Sequence, residues 1–136
     1  MDYIINSPQG AQLYQGDTIF LQKHTNLFYI KRLCLHAFFD YSGYQKAVKT
    51  KLKRKQLIPV VIDQFNQWIP SCCPRKFDNI WINYISIKEM IPMGSHTKIK
   101  FHSGAVLCVE RSLESFEKQI KDLILIRNEK VKHFHR

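Results

Sequence analysis

Alternation of hydrophobic and polar positions is clearest over residues 97–101, where Lys98 and Lys100 alternate with Ile99 and Phe101. A period of two is typical of a strand with one face against the core, so both apolar side chains are predicted to point inward. A Ser-Gly pair follows at 103–104, and the mostly apolar run 105–109 comes directly after it. Together these residues predict a β-hairpin.

Near the end of the sequence the hydrophobic spacing changes to three and four residues, which predicts an amphipathic helix. Ser112 can cap its N-terminus, and Glu114 and Glu117 suit the positive end of the helix dipole. The segment 127–136 is basic and rich in histidine, and it is predicted to be a flexible tail. The apolar stripe of the helix consists of Leu113, Phe116, Ile120, Leu123 and Ile124.

Short runs rich in β-branched and aromatic residues predict further strands. The run 80–87 is apolar on both alternations, which indicates a central strand covered on both sides. The segment 33–39 is compatible with a strand or a buried turn, whereas two prolines make 70–76 a loop. The remaining predicted strands are 18–22, 27–30, 59–62 and 67–69.

Residues 43–54 show apolar positions at spacings of three and four, which predicts a short helix. On that helix Lys46, Lys49 and Lys53 share one face, flanked by Lys51 and Lys55. A strand is the alternative, because the lysines at 49, 51, 53 and 55 alternate and would then all point to one side. The apolar spacing favours the helix, and its members are Tyr44, Ala47, Val48 and Leu52.

The predicted fold class is therefore α+β. Residues 1–136 are expected to form a single antiparallel β-rich domain with a short basic helix and a C-terminal amphipathic helix.

Charge adds a functional prediction to this fold. Between Tyr41 and Ile62 the chain has no acidic residue and carries six cations. Clustered cations repel one another, and a bound polyanion relieves that repulsion by neutralising them. The whole chain has 21 Lys plus Arg against 11 Asp plus Glu and a net charge of +10, which is typical of nucleic-acid binders. A solvated surface is the simpler alternative. The predicted DNA-binding cations are Lys46, Lys49, Lys51, Lys53, Arg54 and Lys55.

A second pair of cations, Arg75 and Lys76, lies in the proline-bounded loop and is also predicted to contact DNA. Trp81 and Tyr84 could stack on unpaired bases, but the apolar run around them favours core packing. Asn83, the polar residue of that run, is predicted to be a buried amide with its hydrogen bonds satisfied.

The sequence does not favour an enzyme, and no cofactor or metal is expected. It lacks the common phosphate-binding, metalloprotease and serine-hydrolase motifs, and its carboxylates are scattered. A zinc site built from Cys72 or Cys73 with His102 and Cys108 is conceivable but lacks ligand spacing. No secretory signal or membrane span is visible, so a cytoplasmic protein without a membrane partner is expected. A metal-dependent nuclease would need Asp63, Asp78 and Glu89 to converge.

Several segments, taken together in order, resemble the ComK family of bacterial competence transcription factors. The segment 79–84, Asn-Ile-Trp-Ile-Asn-Tyr, follows the Pro-Val-Val-Ile run at 59–62 and the Pro-Ser pair at 70–71. Phe38-Phe39 precedes a Ser-containing basic segment at 42–46. The hairpin at 99–104 and the Ser-Phe-Glu-x-Gln helix start within 112–119 complete a resemblance that covers about 27–126.

This resemblance implies a non-enzymatic activator that binds double-stranded DNA at A/T-rich promoter boxes of DNA-uptake genes. It also implies contact with the minor groove, action as a homo-oligomer and a link to RNA polymerase. A/T-rich minor grooves are narrow and strongly negative, so inserted cations gain there. Gln45-Lys46 stands where the family typically carries Gly-Arg, which makes Lys46 a phosphate contact. The alternative is a small basic RNA-binding or ribosome-associated protein.

Overall fold

Within residues 1–53 and 56–134, which the computed structural model describes (without the side chains of 133 and 134), the chain forms two antiparallel sheets and three α-helices. The first sheet has the order β3-β2-β1-β6-β5-β4 and the second the order β7-β8-β9. This arrangement confirms the predicted mixed α+β domain. The strands are β1 (Tyr3–Ser7), β2 (Gly10–Gln15), β3 (Thr18–Leu21), β4 (Val60–Val61), β5 (Gln67–Pro70), β6 (Trp81–Asn83), β7 (Ile87–Met93), β8 (His96–Phe101) and β9 (Val106–Val109); the helices are α1 (Asn26–His36), α2 (Tyr41–Leu52) and α3 (Leu113–Phe134).

Two tight turns fold β1, β2 and β3 into a meander. Ser7 pairs with Gly10 across the first turn, and Gln15 pairs with Thr18 across the second. Gly10 has φ 128°, and a Cβ there would lie 1.8 Å from the carbonyl oxygen of Gln22. Only glycine allows the backbone of β2 to approach the end of β3 so closely.

The core has two parts on either side of the first sheet. One part surrounds Trp68 and Trp81, which pack with Ile4 and with Ile30 of α1. The other lies beneath α3, whose Phe116 and Leu123 are buried with side chains of both sheets. In the apolar stripe of α3, Phe116 and Leu123 are buried and Ile120 packs partly buried beside them, and in β8 Ile99 and Phe101 are 0% and 1% exposed. These faces confirm the two clearest patterns in the sequence.

The prediction of a strand over 27–30 was wrong, because these residues belong to α1. The hydroxyl of Thr25 caps the helix by accepting a hydrogen bond from the amide of Phe28 at 3.4 Å. Ile30 and Cys34, four residues apart, are buried on one face of the helix. Burial at helical spacing outweighs the β-propensity of the local run. The same helix takes up 33–36, where a strand or a buried turn was predicted.

The prediction of one strand over 80–87 was also wrong. β6 ends at Asn83, a 3₁₀ turn covers Tyr84–Ser86, and Ile87 begins β7 in the second sheet. Ser86 Oγ donates to the carbonyl of Met1 at 2.8 Å, which ties this turn to the start of the chain. The apolar run is continuous because it crosses from one sheet to the other, and each half packs in a different part of the core.

The basic segment is helical, which confirms the predicted short helix and excludes the alternative strand. Asp40 caps α2 through Oδ2, which accepts from the amide of Gly43 at 3.0 Å, and Lys53 ends it with φ 55°. Arg54 and Lys55 lie outside the described residues. At the other end of the chain α3 continues to Phe134, so it includes most of the predicted tail, and the flexibility of 127–136 stays a prediction.

Candidate nucleic-acid interface

The buried side of α2 fixes which way its lysines point. Val48 is 7% exposed, and the hydroxyl of Tyr44 donates to the carbonyl of Pro59 at 2.7 Å while accepting from the amide of Val61 at 3.0 Å. Burial raises the pKa of Tyr44, so it stays a neutral hydrogen-bonding group. With these contacts facing the core, Lys46 and Lys49 are exposed on the opposite side.

A groove of about 820 Å³ lies between α2 and the 71–76 loop. Its lining brings together residues that are nearly thirty positions apart in the sequence. It also includes a cation of α1 that was not among the predicted DNA-binding residues. Within the described part of the chain, no Asp or Glu lines it. We call it the basic groove, and its charged lining consists of Lys31, Lys46, Lys49, Arg75 and Lys76.

The loop side of the basic groove is tied down by hydrogen bonds at its base. Ser71 and Ile80 exchange two bonds of 2.9 Å, one through the Ser71 hydroxyl. The buried Asn79 accepts from the amide of Cys72 at 3.2 Å. These contacts hold the loop in one position, so Arg75 is presented to the groove by a supported segment.

Gln119 of α3 connects the two sides of the groove from below. Its Nε2 donates to the carbonyl of Leu57, which follows α2, at 2.9 Å, and to that of Pro70, which precedes the loop, at 3.0 Å. Its Oε1 accepts from Arg111. Gln119 is 3% exposed, so a single buried amide spans the groove.

Lys31 enters the groove because 27–36 is helical. Its amine lies 5.7 Å from the centre of the Tyr41 ring, within range of a cation–π contact. Burial is the main cause that raises the pKa of Tyr41 to about 12, with Cys34 raising it further and Arg75 opposing. Tyr41 is therefore a neutral phenol in a cationic setting at neutral pH.

Among the described residues, Lys51 and Lys53 of the predicted cluster do not line the groove. Lys51 Nζ lies 3.3 Å from Glu129 Oε2 of α3 and lowers the pKa of that carboxyl, chiefly through their hydrogen bond. Lys53 is exposed at the left-handed end of α2. The structure thus divides the predicted cluster, bringing Lys46 and Lys49 together with the loop pair.

Four cysteines are present as free thiols. Cys34 is buried, and burial raises the pKa of its thiol to about 11, with smaller opposing and reinforcing effects of Lys130 and Asp40. Cys73 is exposed and lines the basic groove, whereas Cys108 is exposed on β9 outside that lining. Across the described ranges, no group of three or more His, Cys, Asp or Glu is placed to bind a metal ion. In the described chain, the residues considered above for a zinc site and for a nuclease are therefore not brought together as such a group.

The residues weighed for base stacking lie mainly in the core. Trp81 is 0% exposed. Asn83 donates to the carbonyls of Met1 and Phe65 at 3.1 and 2.9 Å, and it accepts from the amide of Gln67 at 3.1 Å. These contacts confirm the prediction of a satisfied buried amide.

Among the described helices, none has the length and apolarity needed to cross a membrane.

Comparison with known proteins identifies a family for this chain. The family model described as "ComK protein" matches residues 3–133 of the 136-residue chain. No curated protein and no solved structure matches the chain. The matched region extends beyond the segments that carry the resemblance and includes the whole of the basic groove.

Proposed function

Because the chain belongs to the ComK family, which comprises competence transcription factors and not enzymes, we propose that it activates DNA-uptake genes by binding duplex DNA in the cytoplasm as an oligomer. The basic groove carries this proposal. Five cations converge on a concave surface whose described lining contains no carboxylate. A concave site of one sign focuses its potential, which attracts a polyanion and aligns it.

The proposed contacts fall into two kinds. Lys31, Lys46, Lys49 and Lys76 bind phosphates, where a compact ammonium acts as a point charge and releases counterions. Arg75 enters the minor groove, because its guanidinium is planar and more weakly hydrated than an ammonium. Narrow A/T-rich minor grooves favour such an insertion. Activation then requires contact with RNA polymerase, which is part of the same proposal.

Base preference tests the assignment of Arg75. We expect an A/T-rich duplex to compete better than a G/C-rich duplex or a structured RNA at equal salt, and a minor-groove drug to displace the protein. Arg75→Lys keeps the charge and should reduce the preference for A/T-rich duplex by about tenfold, within the roughly 1–3 kcal/mol of one specific contact, while binding to G/C-rich duplex changes little. Competition measured by fluorescence anisotropy gives these ratios.

Lys76→Arg is the matched control, since it exchanges the same two residue types in the opposite direction at the neighbouring position. If Arg75→Lys leaves the A/T preference unchanged, the minor-groove role of Arg75 is wrong. If RNA competes as well as A/T-rich duplex, the protein belongs to the RNA-binding class instead.

The thiols supply an internal footprint of the groove. We expect A/T-rich duplex to slow alkylation of Cys73 by about tenfold when free duplex is about ten times its dissociation constant, because a bound duplex covers the groove. Cys108 should react at the same rate with and without duplex, and buried Cys34 should react only on unfolding. Iodoacetamide labelling followed by peptide mass spectrometry measures each site. Equal protection of Cys73 and Cys108 would place the duplex elsewhere.

A further inference from the structure

β3 is an edge of the six-stranded sheet, and nothing in the described chain covers it. Consecutive side chains of a strand point to opposite faces, yet all four residues of β3 are exposed. Ile19, Phe20 and Leu21 are 52%, 46% and 59% exposed. Proteins that remain monomeric usually protect such an edge with a charge, a proline or a bulge, and β3 contains no lysine, proline or acid.

Hydrogen bonding between β2 and β3 determines which backbone groups of β3 are free. The two-residue turn pairs Gln15 with Thr18, and beyond the strand Gln22 donates its amide to the carbonyl of Ala11 at 2.9 Å. Because these groups alternate in direction along a strand, the amides and carbonyls of Thr18 and Phe20 face β2. Those of Ile19 and Leu21 face the open edge.

We propose that two copies of this chain pair antiparallel through β3, about a two-fold axis that passes beside Phe20. In an antiparallel pair, residues that exchange hydrogen bonds must both face the partner. Ile19 of one copy therefore pairs with Leu21 of the other, and the reverse. Phe20 then lies opposite Phe20 as a non-bonded pair, where side chains approach most closely.

Charge at the ends of the strand selects this register. With Phe20 on the axis, Asp17 in the turn before β3 and Lys23 of the second copy, just beyond the end of its β3, lie at the same end of the paired strands, and the symmetric pair lies at the other end. Both side chains are exposed, and no salt bridge within the described chain uses either of them. A shift of two residues places Asp17 opposite Leu21 or Lys23 opposite Ile19. Only the Phe20-centred register pairs both charges and all the apolar residues.

In this pairing, β3 is the interface of the oligomer in the proposed function. The pairing itself is independent of that function, and only its biological role rests on it. It would join two six-stranded sheets into one, with the basic grooves of the two copies related by the same two-fold axis. An isologous interface of this kind needs no segment beyond the described chain.

Charge exchange tests the register. Asp17→Lys sets two lysines opposite each other, and Lys23→Glu sets two carboxylates opposite each other, so each should raise the dimer dissociation constant at least about tenfold because every pair occurs twice. The double variant restores opposite charges and should dimerise like the natural chain. Sedimentation velocity at increasing protein concentration measures the dissociation constants, and circular dichroism checks folding.

The two single variants change net charge in opposite directions, so a general charge effect cannot weaken both. Glu110→Lys, which makes a change of the same size and sign as Asp17→Lys at another exposed carboxylate, should dimerise normally. The proposal is overturned if the natural chain stays monomeric at all concentrations, if either single variant dimerises normally, or if the double variant fails to recover.

A cysteine placed on the axis gives a second, geometric readout. With Cys72, Cys73 and Cys108 replaced by serine, Phe20→Cys should form an intermolecular disulfide under mild oxidation by glutathione disulfide, because opposed non-bonded positions suit its geometry. Ile19→Cys should not, since Ile19 faces Leu21. Equal cross-linking of both variants, or none of Phe20→Cys, would reject the register. If the natural chain dimerises through β3 but does not bind duplex DNA, the proposed function is wrong and the pairing stands.

Discussion

Replacing Lys46, Lys49 and Arg75 together by glutamine is expected to weaken binding to every duplex. The slope of log affinity against log salt concentration should fall by about 2, because each of the two lost lysine–phosphate contacts removes nearly one released counterion. The three side chains share the basic groove, so they are removed from one surface. Titrations of a labelled duplex at several salt concentrations give both the affinity and the slope.

A triple substitution of equal charge elsewhere provides the control. Lys88, Lys118 and Lys121 are exposed and do not line the basic groove. Their replacement by glutamine lowers the net charge equally, yet it should leave the slope within experimental error. If both triple variants lose affinity equally, the binding reflects overall charge and the basic groove has no special role.

Asn83→Leu is expected to lower the free energy of unfolding by about 3 kcal/mol. Leucine has a similar size but leaves the amide of Gln67 and the carbonyl of Phe65 without their bonds to Asn83, at a cost of about 1–3 kcal/mol for each unsatisfied group. The carbonyl of Met1 keeps a bond from Ser86. Urea unfolding followed by circular dichroism measures the change.

Asn128→Leu makes the same chemical change at an exposed position of α3 and should alter stability by no more than about 0.5 kcal/mol. A loss below about 1 kcal/mol for Asn83→Leu would show that water or a local shift satisfies the abandoned groups.

Elements with a single strong period were predictable from the sequence. The alternation in β8 and the stripe of α3 each bury one face, and each appears in the structure with that face inward. α1 was not predictable in this way, because Leu27-Phe28-Tyr29-Ile30 has high β-propensity and its helical burial depends on distant groups. Asn26, for example, is buried with Nδ2 donating to the carbonyl of Asn79 at 2.7 Å.

The same limit applies to the candidate site. Clustering predicted Lys46 and Lys49, and the proline-bounded loop predicted Arg75 and Lys76. Their convergence depends on long-range contacts of Ser71, Asn79 and Gln119, which no local pattern reveals. Lys31 was missed because it follows a segment that was assigned to a strand.

The buried amide of Gln119 has an evolutionary consequence. Gln119 donates hydrogen bonds to the segments on both sides of the basic groove. A substitution at this position would therefore alter the distance between the cations of α2 and those of the loop. If the basic groove binds DNA as proposed, homologues with identical surface charges would then differ in the promoters that they select. A buried glutamine that makes no contact with DNA would in that case help to determine target preference.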